Sequence, residues 1–184
     1  PSDDGKRPGR YYMNLSKLNE MPKFQFEALA YHETLPGHHL QSIYNLSNKN
    51  IPMFRRHSNF TAYSEGWGLY AEGLAKELGG YQTPWTEYGR LLMELWRANR
   101  LVMDTGLHYL SWDIKKAVAF RMKNTPFSES DSINAVQRYI VMPGQATAYK
   151  IGQLRIIQLR EKAQEKLAGD FNLPEFHTFI LNLG

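Results

Sequence analysis

The chain has 184 residues, of which 42% are hydrophobic and 22% charged, as is usual for a globular domain with a sizeable core. Its net charge of +4 is small and its basic residues form no concentrated stripe, which argues against a nucleic-acid partner. The absence of cysteine excludes disulfides and thiolate ligands, so a transition-metal site must use histidine and carboxylate side chains. No apolar run is long enough to span a membrane.

The first 22 residues are predicted to contain no helix. Residues 1–10 are polar, with glycine and proline, and are expected to form a loop. The aromatic residues in segment 11–15 favour a short edge strand. From Lys23 onward helical patterns dominate, so the expected fold class is all-α with this one short strand.

The predicted helices follow from apolar residues spaced at three and four and from capping signals. Thr83 is expected to cap a helix that has Pro84 in its first turn. In chain order the predicted helices are residues 23–47, interrupted at Pro36-Gly37; 59–79; 83–102; 112–124; a short helix capped by Ser130 or Ser132 and ending before Pro143; 144–168; and 175–183.

The sharpest chemical feature is residues 31–39, YHETLPGHH, where three histidines and one glutamate flank a Pro-Gly pair. A zinc peptidase needs two imidazoles near one ion and a carboxylate beside the metal-bound water. The usual H-E-x-x-H pattern supplies them at positions i and i+4 of a helix. Here the position four residues after His32 is Pro36, so the pattern is not the standard one.

The Pro-Gly pair predicts a distorted helix. Pro36 lacks an amide hydrogen, and Gly37 can adopt conformations closed to other residues, so the chain can loop out and still return a histidine. On an undistorted helix His39 would lie near the face of His32 but about 10 Å along the axis, and His38 would lie off that face. Periodicity therefore leaves both His38 and His39 open as second ligand.

A third ligand is expected on the next helix. Glu65 and Glu72 are seven residues apart and share one helix face. They could also be ordinary surface acids, with Glu72 paired to Lys76 one turn on. Gly66 and Gly68 favour a site, because two glycines weaken a helix unless another group must approach closely.

Two downstream segments carry further candidates. Asp104 and His108 are separated by one helical turn, so they are either a carboxylate that orients an imidazole or an ordinary local pair. Residues 143–152, PGQATAYKIG, are rich in small residues, which allows close packing. Tyr149 in this run is either a core residue or a donor to a developing oxyanion.

Together, residues 32–39, SEGWG at 64–68, DTGLH at 104–108 and residues 143–152 resemble the bacterial domain-of-unknown-function 885 family. The match extends from Arg7 to about Arg160. Family members are usually much longer, largely helical and often called lipoproteins. The resemblance implies that residues 1–184 are a single catalytic domain from the C-terminal part of a longer chain, located in the cell envelope or periplasm.

That family is in turn similar to helical zinc peptidases such as thimet oligopeptidase, carboxypeptidase Taq and angiotensin-converting enzyme, which implies a gluzincin-like fold. The residues then expected to act are His32, His38 and Glu65 as ligands of one zinc ion, His39 as alternative ligand, Glu33 as general base and Tyr149 as oxyanion donor.

The expected function is zinc-dependent hydrolysis of a peptide substrate, with Glu33 taking a proton from water and passing it to the leaving amine. The supporting residues are His108 beside Tyr149, Glu72 and Asp104 behind the ligands, and Tyr12, Asn14 and Gln145 as substrate contacts, the first two on the edge strand. Two alternatives remain open: a zinc hydrolase of another amide, such as a cell-wall peptide, and a binding protein without catalysis.

Overall fold

The fold class is all-α, as predicted. The computed structural model describes residues 1–2, 6–13 and 22–183, and the regular elements that these residues form are helices. The edge strand predicted at 11–15 is wrong for Tyr11–Met13, which form no strand, while Asn14 and Leu15 lie outside the described residues. Aromatic residues favour strands only where a neighbouring strand completes the hydrogen-bond ladder, and the described residues provide none.

Helices follow one another through short connections. In chain order they are α1 (Phe26–Glu33), α2 (His38–Ser47), α3 (Met53–His57), α4 (Thr61–Glu77), α5 (Pro84–His108), α6 (Ile114–Asn124), α7 (Glu129–Val141), α8 (Gln145–Leu167) and α9 (Leu173–Asn182). The predicted interruption at Pro36-Gly37 is confirmed, because it separates α1 from α2. The short helix α3 was not predicted, and α5 continues six residues beyond Val102. None of the helices in the described ranges is both long and apolar enough to cross a bilayer.

The capping residue is predicted correctly for α5 and wrongly for α7. Thr83 caps α5 as predicted, since its hydroxyl accepts the Thr86 amide hydrogen and Pro84 occupies the first turn. The cap of α7 is Ser128, whose hydroxyl accepts the Asp131 amide hydrogen, so the prediction of Ser130 or Ser132 is wrong. Ser132 is instead fully buried inside α7.

Helices α4 and α8 pack against each other through glycine. A Cβ atom added to Gly66 would lie 2.5 Å from the Gly152 backbone, so any larger residue would push the helices apart. This contact confirms the expectation that the small residues of both helices permit close approach. The core on one side of α4 contains Trp67, Tyr70 and Leu74, packed against α8 and α9. The opposite side of α4 faces α1, where the histidine motif lies.

Candidate metal centre

The bend between α1 and α2 brings two histidines together. The backbone leaves helical geometry at Thr34 and Gly37, and a Cβ atom on Gly37 would overlap the carbonyl oxygen of His32. Only glycine fits there. The chain returns so tightly that the rings of His32 and His38 lie 4.7 Å apart, centroid to centroid. The bend therefore removes the axial separation of about 9 Å that a straight helix would impose on His32 and His38.

Three side chains from three helices then converge. His32, His38 and Glu65 each offer one ligand atom, and these atoms lie within 4.8 Å of one another. Glu65 Oε2 is 3.4 Å from His32 Nε2 and 3.2 Å from His38 Nε2. A tetrahedral zinc ion with bonds of about 2.0–2.1 Å holds its ligand atoms about 3.3 Å apart. The donor types and both distances from Glu65 thus fit a zinc ion.

His39 is directed elsewhere. Its ring packs so closely on the N-terminal segment that a Cβ atom on Gly9 would come within 2.6 Å of it. His39 is not a member of the cluster of potential ligands found among the described residues. The geometry therefore favours His38 over His39, a choice that periodicity left open.

The charges of the cluster are strongly coupled. Burial raises the pKa of Glu65, but hydrogen bonds with His32 and His38 outweigh it and hold that pKa far below its usual range. Burial likewise opposes protonation of His32, yet its bonds to Glu65 and Glu72 raise its pKa. Glu65 is thus ionised. Because metal ligands must shed their protons, a dication binding here would compete with the histidine protons.

An outer partner fixes each imidazole. Glu72 Oε1 lies 2.7 Å from His32 Nδ1, and Gln41 Oε1 lies 3.4 Å from His38 Nδ1. When each Nδ1 donates to these oxygens, each Nε2 can release its own proton and offer its lone pair to an ion placed between it and Glu65. Glu72 does not pair with Lys76, whose ammonium binds Glu87 instead. The role of Gln41 as a partner of His38 was not predicted from the sequence. Its position one helical turn after His38 is the signal that could have indicated it.

Tyr149 of α8 lies beside the cluster. Its ring stacks on that of His32 with centroids 6.3 Å apart, and its hydroxyl lies near enough to Glu65 to help lower the pKa of that carboxyl. The Gln145 amide donates to the same hydroxyl at 3.3 Å. The Arg100 guanidinium covers the ring at 4.5 Å. Tyr149 is therefore held close to the position that a metal-bound group would occupy.

Glu33 faces an open cavity next to the cluster. The cavity has a volume of about 630 Å³ and is also lined by His38, His39 and Tyr12. Glu33 is exposed although the neighbouring His32 is buried, because consecutive side chains leave a helix about 100° apart. The predicted contact Tyr12 thus reaches the cavity, while Asn14 lies outside the described residues.

The structure does not bring Asp104 and His108 together. Both carboxylate oxygens of Asp104 accept the Gly144 amide hydrogen, at 3.1 and 3.2 Å, and so fix the start of α8. His108 Nε2 lies 3.0 Å from the carbonyl oxygen of Tyr139 on α7. His108 therefore faces α7, and we do not assign it to the site.

Gly68 provides a direct test of how tightly His32 is held. A Cβ atom at this position would lie 2.7 Å from the imidazole, so Gly68→Ala should displace the ring. We expect zinc affinity, measured by competition with a chromophoric chelator, to fall by about 10-fold or more, as when a ligand loses its orienting partner.

Gly73→Ala is the matched control, because nothing lies within 4 Å of the added atom. The control should keep its zinc affinity and gain about 0.5–1 kcal/mol of helix stability. Equal zinc affinities in the two variants would contradict this account of the ring's position.

Comparison with known proteins gives a family but no activity. The profile of the family described as "Bacterial protein of unknown function (DUF885)" matches residues 1–184. No curated protein matches the chain. The crystal structure of a "putative lipoprotein" from Colwellia psychrerythraea has a TM-score of 0.96 and 45% identity over 100% of this chain and 32% of that one. A "putative lipoprotein of unknown function" from Shewanella oneidensis has a TM-score of 0.83 and 26% identity over 92% of this chain. The chain spans about a third of the length of both, 32% and 31% respectively.

Proposed function

The chain belongs to the bacterial DUF885 family of proteins of unknown function, and on that premise we propose from its site that it is the zinc-binding part of a peptidase. The observation that supports this most strongly is the separation of 3.2 and 3.4 Å between the Glu65 carboxylate and two imidazole nitrogens. A carboxylate with two imidazoles, in a chain without cysteine, is a donor set of catalytic zinc sites. We further propose that the chain is distantly related to the helical zinc peptidases and that its fold is gluzincin-like.

A zinc ion held by His32, His38 and Glu65 would supply a Lewis acid and lower the pKa of a bound water molecule. Proton transfer is carried out by the chain's own residues. Glu33 follows a ligand directly and faces the cavity, so it is the group placed to take a proton from the attacking water. As the carbon–nitrogen bond breaks, Glu33 passes that proton to the leaving amine.

Tyr149 is the proposed donor to the carbonyl oxygen that becomes negatively charged. Its hydroxyl lies near Glu65 and therefore beside the place where a substrate oxygen would meet the cluster. Gln145 holds the hydroxyl from the far side. A donor fixed before the reaction stabilises the oxyanion without reorganisation.

The cavity is the proposed substrate site. At about 630 Å³ it is of the size that accommodates a short peptide or a small ligand, and Tyr12 at its rim offers an aromatic contact. Because both similar structures are called lipoproteins, we propose that the chain acts in the cell envelope.

A peptide-library cleavage assay on the zinc-loaded protein tests the proposal. Cleavage that stops on chelation and returns with zinc would support a peptidase. Hydrolysis of cell-wall amides alone would indicate a zinc hydrolase that acts on another amide. Zinc binding without any hydrolysis would indicate a binding protein.

Tyr149→Phe separates a catalytic from a structural role for this tyrosine. The variant keeps the ring and loses one hydroxyl, so we expect kcat to fall by about 10²–10³-fold, as for other oxyanion donors, with little change in zinc content or Tm. Tyr70→Phe is the matched control, because its hydroxyl is also hydrogen-bonded, to His177 and Arg160, but outside the site. The control should lose stability and keep kcat. Unchanged kcat with a lower Tm in Tyr149→Phe would remove Tyr149 from the mechanism.

A further inference from the structure

A buried arginine lies behind the histidine–glutamate pair. Arg97 of α5 is 4% exposed, and its Nη2 lies 3.4 Å from Glu72 Oε1. The same oxygen is 2.7 Å from His32 Nδ1. Helices α1, α4 and α5 are thus linked at this point by a line of three buried polar side chains, His32, Glu72 and Arg97.

Arg97 is itself held firmly by its own helix. Its Nη1 donates to the Met93 carbonyl oxygen at 3.2 Å, and its guanidinium stacks 4.6 Å from the centroid of the Trp96 ring. Arg100 and Glu65 are the further charged groups that act on it. A planar guanidinium fixed in this way presents its donors in one geometry, which a flexible ammonium would not.

Glu72 has few other restraints. The residue is 1% exposed, and no partner for its second carboxylate oxygen is found among the described residues. A buried carboxylate needs a charged or hydrogen-bonding partner to be tolerated. Within that part of the chain, Arg97 is the arginine that forms an ion pair with this carboxylate.

We infer that Arg97 is a positioning residue of the metal centre, holding Glu72 so that His32 keeps Nε2 directed at Glu65. This inference rests on the metal site of the proposed function. Arg97 lies behind Glu72 and acts on the ion only through it. Partners of this kind typically change metal affinity by about 10–100-fold.

A double-mutant cycle on cobalt and zinc affinity tests the inference without a substrate. Glu72→Gln should weaken binding by about 10–100-fold. Arg97→Met should weaken it by about 10-fold in the native background, and by less than about 2-fold in the Glu72→Gln background, because coupled residues are not additive. The visible spectrum of bound cobalt reports ligand geometry. It should change most in Glu72→Gln and less in Arg97→Met.

Two further variants control for a general loss of folding or stability. Arg97→Met leaves a buried carboxylate unpaired and can prevent folding, whereas Arg97→Lys keeps the cation and should show an intermediate affinity. Arg121→Met is the control: Arg121 is also buried and faces the same Trp96 ring at 6.0 Å, but its ion pair is with Asp131 and not with Glu72. Its cobalt spectrum and zinc affinity should match those of the native protein.

The outcomes separate the two claims. If the native protein binds neither metal, the metal centre is wrong, and the proposed function and this inference both fail. If it binds metal and Arg97→Lys and Arg97→Met bind equally well, the inference fails and the proposed function stands. Additive effects of Glu72→Gln and Arg97→Met, or an equal loss in Arg121→Met, would also overturn the role of Arg97.

Discussion

Glu33→Gln should keep about one zinc ion per chain, the stoichiometry of a three-ligand site, while turnover falls by about 10²–10⁴-fold. The amide has nearly the shape of the carboxylate but cannot accept the water proton. Glu33 is exposed in the cavity rather than directed into the ligand cluster, so its loss should not disturb the ion. Zinc content by elemental analysis and kcat on a cleaved peptide, measured on one preparation, give both quantities.

Glu27→Gln is the control for this substitution on the same helix. The Glu27 side chain accepts the Tyr81 amide hydrogen at 2.8 Å, and the oxygen of a glutamine would still accept it. This control should retain both zinc and turnover. If Glu33→Gln loses its zinc, Glu33 is a ligand and the motif has been misread.

Replacing both His32 and Glu65 by alanine should reduce bound zinc from about one ion per chain to nearly none after dialysis, since a single remaining ligand cannot retain the ion. The two residues supply two of the three converging ligand atoms. Elemental analysis after zinc supplementation measures the loss, and far-UV circular dichroism checks that the helices persist.

His39→Ala tests the choice between the adjacent histidines. His39 packs on the N-terminal segment, so its removal should leave zinc occupancy unchanged, whereas His38→Ala should lower it. Loss of zinc in His39→Ala would contradict the assignment of His38 as the second ligand. Full zinc occupancy in the variant that lacks both His32 and Glu65 would contradict the ligand set as a whole.

Local signals in the sequence predicted part of this site. The Pro36-Gly37 pair marked the bend, and the spacing of Glu65 and Glu72 placed both on one face of α4. Gly68, an otherwise unfavourable helix residue, marked the place where the His32 ring approaches. Each of these signals depends on residues within about two turns of one another, a range over which helix geometry is regular.

Other features depend on tertiary contacts that spacing does not encode. Asp104 and His108 had the spacing of a helical pair, but the Gly144 amide, 40 residues away, takes the carboxylate. Arg97 meets Glu72 across two helices, so no local pattern indicated it. The choice of His38 over His39 required the backbone angles of the bend, which the residue types restrict but do not determine.

Anomalous diffraction at the zinc absorption edge, on zinc-soaked crystals of the protein, tests the central claim most directly. We predict one strong peak at about 2.0–2.2 Å from His32 Nε2, His38 Nε2 and a Glu65 carboxylate oxygen. A peak at His39 in place of His38, or no peak between these three residues at saturating zinc, would contradict it.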